Sequence, residues 1–176
     1  PILSPYVYPS PILLNGTGTT RANASDNLSG VATSQCTPVA TKQVGDHKVS
    51  CTVTDFAGNI ATAKASYSVL YGFAGFTSPV KMPITVNLVR KTDVFPLRWR
   101  LVDANGLPVT NFKAGELKVN ATALDASDCE DGPQQKIAEF SNSAKLLNRG
   151  NGYYEVGVGF PKNWSTQCFY IWLGSP

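Results

Sequence analysis

Charge is scarce in this 176-residue chain: Asp, Glu, Lys and Arg make up 15% of it, against about 25% in an average soluble domain. The formal excess of +3 is spread along the chain and never gathers into a run, which excludes the basic stripe of a nucleic-acid binder. His47 is the one histidine. A zinc site needs closely spaced Cys and His ligands, and no CxxC pair is present to begin one. A catalytic triad would have to be built on His47, which follows a turn among Lys, Thr and Ser and has no nucleophile motif near it. It is expected to be a solvent-facing strand-edge residue, and no catalytic residue is assigned. No apolar stretch approaches the roughly 18 residues of a membrane span, and no secretory leader is recognisable. Pro1 stands where an initiator Met would, so a processed product or a piece of a longer chain is expected. Helical stripes bounded by caps are also missing.

What the chain does hold is Thr, Ser, Val, Ala, Gly and Pro, with 43% hydrophobic residues. That is the composition of short strands joined by turns, an all-β protein. Four widely spaced cysteines, Cys36, Cys51, Cys129 and Cys168, favour disulfides and an oxidising, extracellular setting; buried free thiols are the alternative. Cys36 and Cys51 flank the Val44-Gly45-Asp46 turn. A bond between them closes a loop of about 15 residues, contributing roughly 3 kcal/mol in the loop-entropy model. Cys129 and Cys168 would tie a long middle loop to the last strand.

Residues 1–12 carry Pro1, Pro5, Pro9 and Pro11 among Ile2, Leu3, Tyr6, Val7, Tyr8 and Ile12. Proline interrupts helices and central strands, so an extended arm or linker is expected, apolar enough to dock on a neighbouring module or an identical subunit. A first module is expected over 13–70. In it Val49, Cys51 and Val53 alternate with polar residues, as do Ala61, Ala63, Ala65, Tyr67 and Val69, the period of half-buried strands. Asp55-Phe56-Ala57-Gly58-Asn59 supplies the turn between them, and Asp26-Asn27-Leu28-Ser29-Gly30 reads as a loop. An aromatic, Gly-containing connector spans 71–76. A second module, 77–176, alternates Leu97, Trp99 and Leu101 with Arg98 and Arg100, then turns at Asn105-Gly106. Leu117 and Val119 begin a further strand. Tyr154, Val156 and Val158 follow the Asn151-Gly152 turn, and Phe169, Ile171 and Leu173 share the last strand with Tyr170 and Trp172.

The run Cys36-Thr37-Pro38, Val44-Gly45 and Val49-Ser50-Cys51-Thr52-Val53-Thr54-Asp55-Phe56-Ala57-Gly58-Asn59 resembles the hyalin-repeat (HYR) family and related bacterial Ig-like modules, over about 24–69. The later stretch Val94-Phe95-Pro96-Leu97-Arg98-Trp99, continuing through Leu101-Val102-Asp103-Ala104-Asn105-Gly106, looks like the bacterial extracellular domain named for its Pro-x-Lys-Phe (PxKF) motif. Here Pro-Leu-Arg-Trp stands in its place, keeping a cation beside an aromatic. The resemblance implies two tandem Ig-like β-sandwich modules, each with one disulfide, in a secreted bacterial cell-surface protein. Neither family implies an enzymatic activity. The expected function is therefore a non-catalytic structural or adhesive module, as in a surface filament or sheath assembled through the 1–12 arm. The alternative is a carbohydrate- or cell-wall-binding accessory module of a secreted hydrolase.

Candidate chemistry is sparse. Asp26, Asp55 and Asn59 offer oxygens of the kind calcium takes, and the same side chains suit the capping of their own turns. No other cofactor is implied. Asp125, Asp128, Glu130 and Asp131 form an acidic loop without the Gly and terminal Glu of an EF-hand. Trp164, Tyr153 and Trp172 can form an aromatic platform for cell-wall glycans, or serve as core. Asn-x-Ser/Thr glycosylation sequons start at Asn15, Asn23, Asn27, Asn120 and Asn163. Peptide mapping of unreduced protein is expected to recover two linked pairs, Cys36 with Cys51 and Cys129 with Cys168; four alkylatable thiols would overturn both the pairing and the compartment.

Overall fold

The computed structural model describes residues 1–80, 94–112, 118–124, 136–143, 145–159 and 168–174. The described residues form strands and turns throughout, an all-β protein, and no helix among them is long and apolar enough to cross a membrane. The chain divides into two compact units, residues 1–72 with 102–107, and residues 73–101 with 108–176.

The first unit contains β1 (Ile2–Leu3), β2 (Tyr6–Tyr8), β3 (Ile12–Leu13), β4 (Thr19–Arg21), β5 (Ala24–Ser25), β6 (Val31–Cys36), β7 (Gly45–Asp55) and β8 (Ile60–Leu70). Its main sheet runs β3-β8-β7-β6. The antiparallel β7–β8 ladder pairs Gly45 with Val69 at one end and Thr54 with Ile60 at the other. The expected alternation holds here: Val49, Cys51 and Val53 are buried on β7, as are Tyr67 and Val69 further along β8, opposite His47 and Gly45. The strand begins at Gly45, whose φ of +120° suits glycine, so of the Val44-Gly45-Asp46 turn expected before the strand, Gly45 and Asp46 already belong to it.

Residues 1–12, expected to form an arm, are instead strands of this unit. β1 pairs with β5, β2 with β4, and β3 runs parallel to β8, setting Ile12 beside Val69. Val7 and Ile12 join Val49, Tyr67 and Val69 in the core, with Leu14, Val39 and Ala65 packed against them. The prolines punctuate rather than prevent: Pro5, Pro9 and Pro11 fall outside the three short strands, where a missing N–H costs no ladder bond. The Tyr67 phenol crosses to residue 40, accepting from Ala40 N at 2.8 Å and donating to Ala40 O at 2.9 Å.

Cys36 lies directly across the β6–β7 ladder from Cys51. The two are disulfide-bonded with their Cα atoms 4.0 Å apart, so the expected pairing is found. Cys129 lies outside the described residues, and with it the second expected pair.

In the second unit, β9 (Gly72–Thr77), β10 (Phe95–Val102), β13 (Leu147–Gly150) and β14 (Tyr153–Val158) form a sheet in the order β13-β14-β10-β9. The stretch 71–76, expected as a connector, is thus mostly part of an edge strand. β11 (Lys118–Leu124), β12 (Lys136–Ser143) and β15 (Cys168–Gly174) make a second sheet, ordered β12-β11-β15. Along β10, Phe95, Leu97, Trp99 and Leu101 are buried while Arg98 is exposed. Tyr154, Val156 and Val158 are buried on the neighbouring strand. Trp99 and Tyr154 stack with centroids 6.3 Å apart, and Phe112 meets Tyr154 edge-on at 5.2 Å. The Tyr154 hydroxyl donates to Val109 O at 2.8 Å and accepts from Phe112 N at 3.1 Å, so this large polar ring is buried fully satisfied.

The β13–β14 turn uses Asn151 and Gly152, both at positive φ, as a two-residue hairpin with the twist of its strands requires. Gly152 is further confined because a Cβ there would sit 2.6 Å from the Leu101 carbonyl oxygen. Removing the first unit's cross-link tests how much its small core depends on it. The Cys36→Ala/Cys51→Ala chain is expected to lose about 3 kcal/mol, read as a fall of roughly 12–24 °C in the melting of that unit.

Candidate functional site

Two clusters of charged side chains stand out among the described residues. The first closes one end of the first unit. Asp26 Oδ1 accepts from the backbone N–H groups of Leu28, Ser29 and Gly30 at 3.1, 2.8 and 2.9 Å and from the Ser29 hydroxyl at 3.2 Å. Its Oδ2 lies 3.1 Å from the Pro1 nitrogen. Asp55, buried at the end of β7, accepts from Asn59 N at 2.7 Å and from the Asn59 side-chain amide at 2.8 Å. Phe56 N donates to Gly30 O at 3.2 Å, which joins the two turns.

Both carboxyls are held below the usual range. For Asp26 the main cause is the Pro1 ammonium, with the backbone donors of its own loop behind it. For Asp55 it is the Asn59 amide, while burial and the neighbouring Asp26 charge push the other way. The structure therefore brings Asp26, Asp55 and Asn59 together, yet their oxygens are engaged with donors of the same two turns. Among the described residues no group of three or more His, Cys, Asp or Glu side chains could hold a metal ion. What the arrangement does chemically is tie loops.

Asp103 works the same way. Its Oδ1 accepts from Asn105 N at 2.8 Å and Leu107 N at 3.0 Å, closing the Asn105-Gly106 turn. Its Oδ2 accepts from the Asn15 amide at 2.9 Å. These donors, the Asn15 amide foremost, lower its pKa. The sequon residue Asn15 thus has a structural partner. Asn23 and Asn27 are exposed on loops, Asn120 lies in β11, and Asn163 is outside the described residues. His47, expected to face solvent, is half-buried: its ring stacks on Tyr67 at 5.4 Å and its Nε2 lies 2.8 Å from Gln43 O.

The second cluster lies on the face of β10, β14 and β13 away from the Trp99 core. Pairing sets Arg98 opposite Glu155 and Arg100 opposite Tyr153. Glu155 Oε2 accepts from Arg98 Nε at 2.6 Å and Arg149 Nε at 3.2 Å, and its Oε1 accepts from Arg149 Nη2 at 2.8 Å. The carboxylate is only 9% exposed, whereas the arginine side chains are 45% and 52% exposed. Arg149 first, then Arg98, lowers the Glu155 pKa to about 2; in return Glu155 raises that of Arg149. Arg100 lies over the Tyr153 ring with Cζ 5.5 Å from the centroid. A depression of about 430 Å³ is lined by Arg98, Arg149, Tyr153, Tyr154 and Glu155.

Of the aromatic residues considered for glycan contact, Tyr153 belongs to this cluster, Trp172 lies in β15 and Trp164 is outside the described residues, as is the acidic stretch 125–131. The alternation around Trp99 already turned Arg98 outward. Glu155 and Arg149 gave no such signal, because their meeting depends on the hairpin and its register. No protein-family model, curated protein or solved structure matches this chain.

The lowered carboxyl pKa values have a consequence for stability. A carboxyl whose folded pKa lies below its unfolded value stabilises the fold above the unfolded value, and that contribution fades as pH falls through the folded one. For Glu155 the window runs from 4.5 down to about 2. Thermal melting is therefore expected to hold steady from pH 8 to about 5 and decline below it, and Glu155→Gln should melt lower at neutral pH with a shallower acid decline. An unchanged acid profile in that variant would show the Arg98–Glu155–Arg149 pairing to be idle.

Proposed function

We propose that this chain is a non-catalytic, extracellular structural or adhesive module of a bacterial cell-surface protein, built as tandem sandwich-like units. The observation that carries the reading is where the buried and half-buried acid groups go. Asp26, Asp55 and Asp103 are spent on turns, and Glu155 on two arginines. These groups brace loops and strands rather than converge on a reacting atom. The covalent tie across β6 and β7 suits an oxidising setting and a load-bearing or protease-exposed role.

Exposed apolar groups support contact with neighbours. Leu28, Phe56 and Ile60 are 99%, 75% and 68% exposed around the two capped turns. Large apolar side chains left in solvent beside turns are available to pack on a neighbouring surface. A filament contact through residues 1–12 would have to use the outward side of paired strands, where Tyr6 and Tyr8 are exposed. The second reading, a carbohydrate-binding accessory module, is favoured by one observation: Tyr153 shares an open depression with Arg98 and Arg149.

Two measurements test the main reading together. Immunogold electron microscopy of native cells is expected to find the chain at the cell surface. A panel of glycosidase, esterase and peptidase substrates is expected to show no turnover by the purified chain. Turnover abolished by a point substitution in this chain, or a cytosolic location, would overturn the proposal.

A further inference from the structure

We infer that the outer face of β10, β14 and β13 binds a carboxylate-bearing polysaccharide, with Arg98, Arg149 and Arg100 taking the acid groups and Tyr153 supporting a sugar ring. The inference rests on the surface-module reading for its setting, since acidic polysaccharides are met outside the cell.

The donors on this face are only partly used. Arg98 meets Glu155 through Nε, which leaves both terminal nitrogens of a half-exposed side chain for a ligand. Arg149 engages the carboxylate with Nε and Nη2, leaving Nη1. Arg100 has no carboxylate partner among the described residues, and its Nε is buried without a hydrogen-bond partner. Two guanidiniums thus share the Glu155 carboxylate and the third has none among the described residues, so the face carries a cationic surplus. A partly desolvated guanidinium gains more from an anion than a fully hydrated one does.

The arginines are also held in place. Glu155 is nearly buried between them and fixes the planes of Arg98 and Arg149, so less rotamer freedom is lost when a ligand arrives. A planar guanidinium presents paired N–H groups that match the two oxygens of a carboxylate. Tyr153 lines the same depression and is about a third exposed, offering ring surface to a sugar.

The geometry disfavours other polyanions. β14 is paired on both sides, by β13 and β10, so an acidic peptide cannot add there as a strand. Nucleic acid draws on many phosphate contacts along a basic track, whereas this chain carries only +3 overall. A polysaccharide with an acid on each sugar supplies repeated weak contacts that sum along its length.

The test is affinity electrophoresis of the whole chain through gels containing polygalacturonate, neutral dextran, dextran sulfate or polyglutamate, at physiological salt. Retardation is expected in polygalacturonate and none in dextran. Arg98→Gln/Arg149→Gln should weaken it at least roughly tenfold, since charge-assisted hydrogen bonds from two guanidiniums are lost together. Arg100→Gln leaves the Glu155 pairs intact, so it is expected to fold and still to weaken binding, read beside unchanged circular dichroism. Lys48→Gln/Lys64→Gln in the first unit should change nothing. The inference is overturned if the chain ignores polygalacturonate, if Arg100→Gln binds as the parent does, or if dextran sulfate or polyglutamate is held as tightly. Any of these would leave the cell-surface location, tested separately by microscopy, standing.

Discussion

The ladder between β7 and β8 is the constraint on which the first unit depends. Two strands of 11 residues each are pinned at one end by the Asp55–Asn59 turn and read in register to Gly45 and Val69. Because side chains alternate, a slip of one residue would turn Val49, Cys51 and Val53 into water and bring Ser50 and Thr52 inside. A second ladder, between β6 and the other edge of β7, sets Cys51 against Cys36. The cross-link fixes that second register covalently. It lowers the entropy of the unfolded chain where the core is small, made largely of Val with Ile12 and one Tyr.

A chain with so little charge still buries carboxylates, and it does so sparingly. Burying an ionised group costs several kcal/mol unless donors replace water. Here each buried acid has its donors. Asp55 and Asp103 fold back on the N–H groups of the turns they begin, as Asp does in Asx-type turns. Glu155 is supported by two guanidiniums from different strands. The first kind is local and joins loop to strand. The second joins strands across a sheet, and it leaves the arginines half in water, which is why that face has chemistry left over for a partner.

These two uses of charge also separate the two readings of function. Acids consumed by their own turns support a scaffold. Arginines with spare donors beside a Tyr support a scaffold that also grips something. The two are compatible, because the arginine face and the Trp99–Tyr154 core lie on opposite sides of the same strands.

Much of the fold was legible along the chain, and the reason is locality. The alternation at 49–53, 61–69, 97–101 and 154–158, the turns at 55–59, 105–106 and 151–152, and the Cys36–Cys51 pair all depend on neighbours or on one hairpin. Residues 1–12 misled because proline density signals interruption, and only the pairing with β4, β5 and β8 reveals that the prolines fall between strands. The tertiary structure alone decided that Asn15 reaches Asp103, and that Arg98, Arg149 and Glu155 meet. Those contacts depend on register and on which strand lies beside which. A side-chain period of two says which face a residue takes, and nothing about what it will find there.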